Sequence, residues 1–440
     1  MNARKMLLVT LLVSALRASP ALVNESAFVA GADGLPAGWT TWSARAEIAP
    51  RCYVDALHFR GKPGSLAING NSNMAAHGGW RRQVPGVQAG SWYRFRAYYR
   101  TEGVEHESLQ VSARLDWSTA AGERAGRPDY VYRAQREGEW TRVVMDAPAP
   151  EKASAATLEL YLSNSPQGTV WWDDISFEQI EAPRARPVTI ASVNLRPLGT
   201  KSAAVSVKRF VETIERAVPA KTDVILLPEG ITIIGTGHQY VDVAETIPGP
   251  TTATLGEIAR KRRTYIAAGI YEREGHVVYN TAVLIDRDGN VAGKYRKVYL
   301  PSAEIEGGLS PGNSYPVFET DFGTVGMMIC YDVFYPDPAH ALASRGAEIV
   351  LMPIWGGDQT LGKARAIENR VFLVASGYDY PTQIIDPNGE ILAIASKDGA
   401  VAVTTIDLSK RYWQPLLGDM RARRAKEFRL DIPVPVPGLR

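Results

Sequence analysis

Val325–Ala339 reads VGMMICYDVFYPDPA. Its first half is apolar without alternation, the pattern of a strand buried on both faces. The run ends on Cys330, followed by Tyr331 and Asp332. Working outward, similar runs recur: VTIASVN at 188–194, DVILLPE at 223–229, TYIAAGIY at 264–271, EIVLMPI at 348–354 and VFLVASGY at 371–378. Between them lie helical patterns. Val207, Phe210, Val211 and Ile214 fall on one helical face, and ATLGEIARKRR at 253–263 is a second helix. Buried strands alternating with helices predict an α/β domain.

Two more strand ends carry charge beside apolar residues. ILLPEG delivers Glu229, and GKYRKVYLP places Lys297 before an apolar turn. Sites in open α/β sheets assemble at strand carboxyl ends, and a lone buried charge is costly. A free cysteine is ordinarily a small core hydrophobe; Cys330 in this company is a candidate nucleophile. Other chemistries find no support. The six histidines are scattered, and neither CxxC nor HExxH occurs, so no metal centre is expected. No GxGxxG or GxxxxGK[ST] opens a helix, and there is no GxSxG elbow.

These segments carry a resemblance. Over about residues 187–410 the chain resembles the nitrilase (carbon–nitrogen hydrolase) superfamily, in LLPEG, KYRKVYLP and GMMICYDVFYPDPA, taken in that order. The intervening YNTAVLIDRDGNVAGKY, RGAEIVLMP, ARAIENRVFLVAS and IIDPNGEIL also match. The resemblance implies Glu229, Lys297 and Cys330 as base, oxyanion-stabilising cation and nucleophile. The backbone N–H of Tyr331 would be a further oxyanion donor. A supporting glutamate follows the lysine, and Glu304 is preferred to Glu306 for its spacing. Ile354 and Trp355, with Glu306, are candidates to line the substrate pocket, while Asp332, Arg365, Glu368 and Asn369 read as scaffold. Tyr331 after the cysteine looks like the amidase and carbamoylase branches; YPDP at 335–338 departs from the usual FPE and leaves the branch open. The implied fold is a four-layer α-β-β-α sandwich, assembled as a homodimer or higher oligomer. The implied partner is a small-molecule amide substrate, with no cofactor.

Residues 24–180 follow a different rhythm. Short strands, including Trp92–Tyr99, Leu109–Leu115, Thr141–Met145, Thr157–Leu162 and Thr169–Phe177, alternate with period 2 between turns. This predicts an all-β jelly roll or sandwich ahead of the α/β domain. LPAGWTTW, GWRRQVPGVQAGSWYRFRAYYR and GTVWWDDISFEQI resemble galactose-binding-like, carbohydrate-binding modules. The resemblance implies a glycan partner, with Trp39, Trp42, Trp80, Trp92, Trp171 and Trp172 as aromatics for sugar stacking; Trp92 and one of Trp171 and Trp172 read as core. Asp173 and Asp174 are candidates for a structural calcium ion. Residues 181–187 (EAPRARP) read as a linker and 411–440 as an Arg- and Pro-rich tail.

The N-terminus has Arg4 and Lys5, an apolar run Met6–Leu16, then Ala18, Ser19 and Ala21. That is the layout of a signal peptide over 1–21, and it predicts a secreted or periplasmic protein. The apolar run is too short to span a bilayer. A net charge of +2 without a basic stripe gives no footing for nucleic acid or an anionic membrane. The only cysteines, Cys52 and Cys330, fall in different halves, and a disulfide between them would consume the nucleophile. The reading is a secreted amidohydrolase. A soluble N-acyltransferase using the same site, or an inactive glycan-binding protein, remains as an alternative.

Overall fold

The computed structural model describes residues 21–131, 133–414 and 416–427. The expected signal peptide therefore lies almost wholly outside the described residues. The chain divides into two compact units: Arg184–Tyr412, and the residues up to Pro183 together with those from Trp413 on. Of the expected tail, the described residues from Trp413 on belong to the first unit.

Among its described residues the first unit is built on two antiparallel sheets, of seven and five strands, with a two-stranded pairing of Trp413–Gln414 and Gly418–Asp419 besides. Alternation decides which face is covered. Val111, Ala113, Leu115 and Trp117 of the strand Val111–Ser118 are buried and the residues between them are not. Leu158, Leu160 and Leu162 of one sheet share a core with Phe95, Trp172 and Phe177 of the other. The expected strand Leu109–Leu115 starts late. Glu107–Gln110 forms a helical turn, because the Glu107 carboxylate accepts bonds from the Tyr99 and Thr101 hydroxyls.

Several aromatics are placed differently from the sugar-stacking expectation. Trp39, Trp80, Trp171 and Trp172 are buried, and three of these indoles donate inward, to Glu25, Ala67 O and Asp55. Trp42 packs against both the Arg81 guanidinium, 3.9 Å from its centroid, and the stacked Tyr161 ring at 5.3 Å. Trp92, expected in the core, is partly exposed. The calcium expectation also gives way to another arrangement. Asp173 accepts the Arg60 and Asp174 amides, and Asp174 pairs with the Arg60 guanidinium. One arginine and local backbone thus take up both carboxylates. Among the described residues no group of three or more metal-ligating side chains occurs.

The second unit holds two six-stranded sheets. In the first, Val224–Leu226 runs parallel to Pro187–Asn194 and Tyr265–Glu274, with antiparallel strands outside. In the second, Ile349–Pro353 runs parallel to Thr324–Met327 and Phe372–Ser376, again with antiparallel flanks. The central strands Val224–Leu226, Ile349–Pro353 and Phe372–Ser376 are buried at every residue, which explains their unbroken apolar runs. Leu226, Ala267 and Leu284 of one sheet share a core with Met327, Leu351 and Val374 of the other. Buried Ser192 and Ser376 pin the sheets together through bonds to Ala375 O (2.7 Å) and Val193 O (2.6 Å).

The helices Ala203–Ala217 and Pro250–Arg262 cover the first sheet with Val207, Phe210, Ile214 and Leu255. Ser202 caps the first of them, and Pro250 begins the second where its missing N–H costs nothing. Asp337–Ser344 and Gln359–Asn369 cover the other sheet with Ala339, Leu342 and Ala366.

Candidate active site

Four of the sequence-predicted site residues follow a strand's carboxyl end. Glu229 comes after Val224–Leu226, Lys297 directly after Val291–Arg296, Cys330 after Thr324–Met327, and Trp355 after Ile349–Pro353. Glu304 lies on the short helix Ser302–Glu306. The fold brings Lys297, Glu229 and Glu304 into direct contact. The lysine Nζ donates to Glu229 Oε1 at 3.0 Å and to Glu304 Oε1 at 2.9 Å. All three are buried, at 1%, 2% and 5% exposure. Burial alone would push the Lys297 ammonium towards neutrality; the neighbouring Glu229 and Glu304 outweigh it and hold the lysine above its ordinary range. Burial likewise raises Glu304. Glu306 is exposed on the same short helix, whose buried residue is Glu304.

Sequence reasoning missed Asn280. Its Nδ2 donates at 2.7 Å to both Glu229 Oε1 and Glu304 Oε1, and the residue is fully buried. One amide and one ammonium thus gather two like charges. The signal was present: an asparagine interrupts the apolar strand VVYNTAVLI. Its backbone oxygen also accepts the Lys297 amide at 2.9 Å, which fixes where the lysine leaves the strand. The second oxygens of both glutamates and Asn280 Oδ1 are buried without a hydrogen-bond partner.

Cys330 opens the 3-10 turn Cys330–Phe334 with φ of +44°. A left-handed conformation at a non-glycine residue costs about 1–3 kcal/mol and is a common mark of functional turns. Buried Asp332 holds the turn: it accepts the Ile329 amide at 2.8 Å, the Tyr295 hydroxyl at 2.8 Å and the Tyr299 amide at 3.1 Å. Burial raises the Asp332 carboxyl to about 6. The Cys330 thiol lies 3.4 Å from Gly356 O. Burial pushes it up to about 12; Glu229 adds to the rise and Lys297 opposes it. Resting Cys330 is therefore a thiol at neutral pH.

The remaining residues divide as follows. Arg365 bonds Val333 O and Glu368, and Asn369 bonds Arg365 O, so this group braces the Cys330 turn from the Gln359–Asn369 helix. Ile354 is fully buried in the core with Met352 and Leu373. Trp355 is partly exposed and packs edge-on against Tyr378, centroids 4.9 Å apart. Tyr331 is partly exposed beside Phe334 and Tyr335.

Gly269 sets the position of Glu229. A Cβ there would come 2.6 Å from Glu229 Cα, and Gly269 exchanges backbone bonds with Pro228 O and the Ile231 amide. Gly269→Ala is expected to lower kcat/KM at least about tenfold, as a displaced catalytic group would. Kinetics alongside near-ultraviolet circular dichroism would check this; unchanged kinetics would mean that the strand tolerates the methyl group.

A carbon-nitrogen hydrolase family model matches residues 189–412. Omega-amidase NIT2 of Homo sapiens is 30% identical over 234 residues, covering 47% of this chain and 84% of the human protein. A nitrilase of Pyrococcus abyssi (strain GE5 / Orsay) is 33% identical over 216 residues, covering 44% of this chain and 80% of its own length. Among solved structures, Saccharomyces cerevisiae Nit3 aligns with a TM-score of 0.46 at 23% identity, over 57% of this chain and 96% of that one. An amidase from Nesterenkonia sp. gives 0.44 at 25% identity, over 51% and 92%. From the family match and the identity over most of these relatives' length, the chain belongs to the carbon–nitrogen hydrolase family and is a hydrolase of carbon–nitrogen bonds other than peptide bonds.

Proposed function

We propose that this protein is a secreted cysteine-dependent amidohydrolase that cleaves an amide or carbamoyl C–N bond through a thioester acyl-enzyme. The observation that carries the reading is the buried Lys297 ammonium held by Glu229 and Glu304, with the Cys330 thiol inside the same field. The three apolar cores support reading the second unit as a four-layer α-β-β-α sandwich. The shared core of the two antiparallel sheets supports a jelly-roll-like sandwich before it.

The chemistry follows from the protonation states. A thiol near 12 attacks poorly unless a base removes its proton. Glu229, whose second oxygen has no partner, accepts that proton as Sγ bonds to the substrate carbonyl carbon. The resulting oxyanion is stabilised by Lys297 and the backbone N–H of Tyr331. Glu229 returns the proton to the nitrogen, the C–N bond breaks and the amine leaves, with a thioester remaining on Cys330. Water gives a proton to Glu229 and attacks the thioester. The acid departs and the proton returns to sulfur. Glu304 positions Lys297 throughout. Base, nucleophile and oxyanion donors all come from the chain, so the cycle calls for no cofactor.

The test is amine or ammonia release from small primary amides, N-carbamoyl amino acids and N-acylated amines, with Cys330→Ala alongside. Turnover lost in the variant is expected. Turnover that survives in Cys330→Ala would sink the thioester route, and product acylated on an added amine would favour acyl transfer. Amino-terminal sequencing of the protein from the culture medium, expected to begin after Ala18 or Ala21, tests secretion.

A further inference from the structure

Tyr378 follows the strand Phe372–Ser376, where it emerges beside the site. The turn that holds it also holds the thiol. Trp355 O accepts the amides of Tyr378 (3.2 Å) and Asp379 (2.7 Å), and Gly356, next in the chain, lies against Cys330 Sγ. The Tyr378 ring packs edge-on against Trp355 and is partly exposed, yet its hydroxyl oxygen is buried without a hydrogen-bond partner. The Glu229 charge bears on that hydroxyl. A buried hydroxyl left unpaired costs about 1–3 kcal/mol. A group that supplies its partner recovers this.

We infer that Tyr378 is a specificity-determining residue, whose hydroxyl donates to a neutral oxygen on the acyl chain of the substrate while Trp355 walls that chain. The inference rests on the hydrolase reading above. The charges nearby argue for a neutral acyl group over a carboxylate. Arg196, 5.6 Å from the Tyr378 ring, is held by Asp379 through bonds of 2.9 and 2.8 Å, and Lys297 is held by two glutamates. Neither cation is left to receive an anion, and the unpartnered oxygens of Glu229 and Glu304 would repel one. The hydroxyl remains a donor, because burial and Glu229 keep it protonated.

The experiment compares butyramide, 3-hydroxybutyramide and succinamate as substrates of the wild type and of Tyr378→Phe. The wild type is expected to favour 3-hydroxybutyramide over butyramide by about 10–100-fold in kcat/KM, with succinamate poorest. In the variant the hydroxyl preference collapses towards unity, while thermal stability holds or rises, since an unpaired buried hydroxyl has been removed. No hydroxyl preference in the wild type, a preference that survives in Tyr378→Phe, or succinamate as the best substrate would each overturn the assignment. Failure of the wild type to turn over any of the three, or any amide of the wider panel, would overturn the hydrolase reading and this inference with it.

Discussion

Lys297→Met is expected to lower kcat at least about 10²–10³-fold and to destabilise the second unit by about 3–5 kcal/mol, with the stability loss larger at pH 8 than at pH 5. The wild-type cluster sets two buried carboxylates against one buried ammonium. Methionine matches the stem of the lysine in shape but leaves Glu229 and Glu304 facing each other, bridged by the Asn280 amide alone. The Glu304 carboxyl, already raised by burial, then loses the cation that lowers it and rises further above the unfolded value of about 4.3. A carboxyl raised in the folded state contributes stability that is full below its unfolded value and is lost as pH climbs through the folded one. The variant should therefore approach wild-type stability at pH 5 and fall away at pH 8. Urea unfolding at the two pH values measures this, and an equal deficit at both would mean that the cluster is not charged as described. Turnover drops separately, because in the proposed mechanism an oxyanion donor is gone; losing one typically lowers kcat about 10²–10³-fold. The further rise of the cysteine once the ammonium no longer opposes Glu229 adds to that loss.

Much of the second unit was legible because its signals are local. Unbroken apolar runs mark strands buried on both faces, and a charged residue at the end of such a run is costly unless it has partners there. Glu229, Lys297 and Cys330 stood out as candidates on that basis, while their roles, and the preference for Glu304 over Glu306, came from the family resemblance. Asn280 was missed because an asparagine within a strand has several ordinary explanations. Only the register of its strand beside Lys297 shows that one amide reaches both carboxylates. Tyr378 was missed for a similar reason, as its hydroxyl becomes notable only once the fold leaves it without a partner.

The first unit was harder to read. Period-2 alternation predicts strands and an inward face, but in VWWDD at 170–174 it does not say that both Trp171 and Trp172 are covered. Trp172 enters the main core, whereas Trp171 joins Ala67, Tyr98 and Trp140 in a small cluster elsewhere. The Arg60 guanidinium against Asp174 likewise joins residues 114 positions apart, beyond any local motif.

Glu229→Gln is expected to lower kcat by about 10²–10⁴-fold while bringing the Cys330 thiol down from about 12. The first effect follows from removing the base, since a glutamine cannot carry the proton to the leaving amine or take one from water. The second comes from the charge balance around sulfur. Burial is the largest cause of the raised thiol, Glu229 adds to it and Lys297 works against it. Glutamine removes only the Glu229 contribution, so the thiolate becomes easier to form in an enzyme that has become slower. The fold should persist, because Lys297 and Glu304 are left as a neutral pair and Asn280 keeps an oxygen to donate to. Thiolate absorbance near 240 nm against pH, read beside amide turnover, separates the roles. Slow turnover with a lowered thiol marks Glu229 as the base acting on Cys330. Slow turnover with the thiol unmoved would assign Glu229 to holding Lys297, and the proton would need another acceptor.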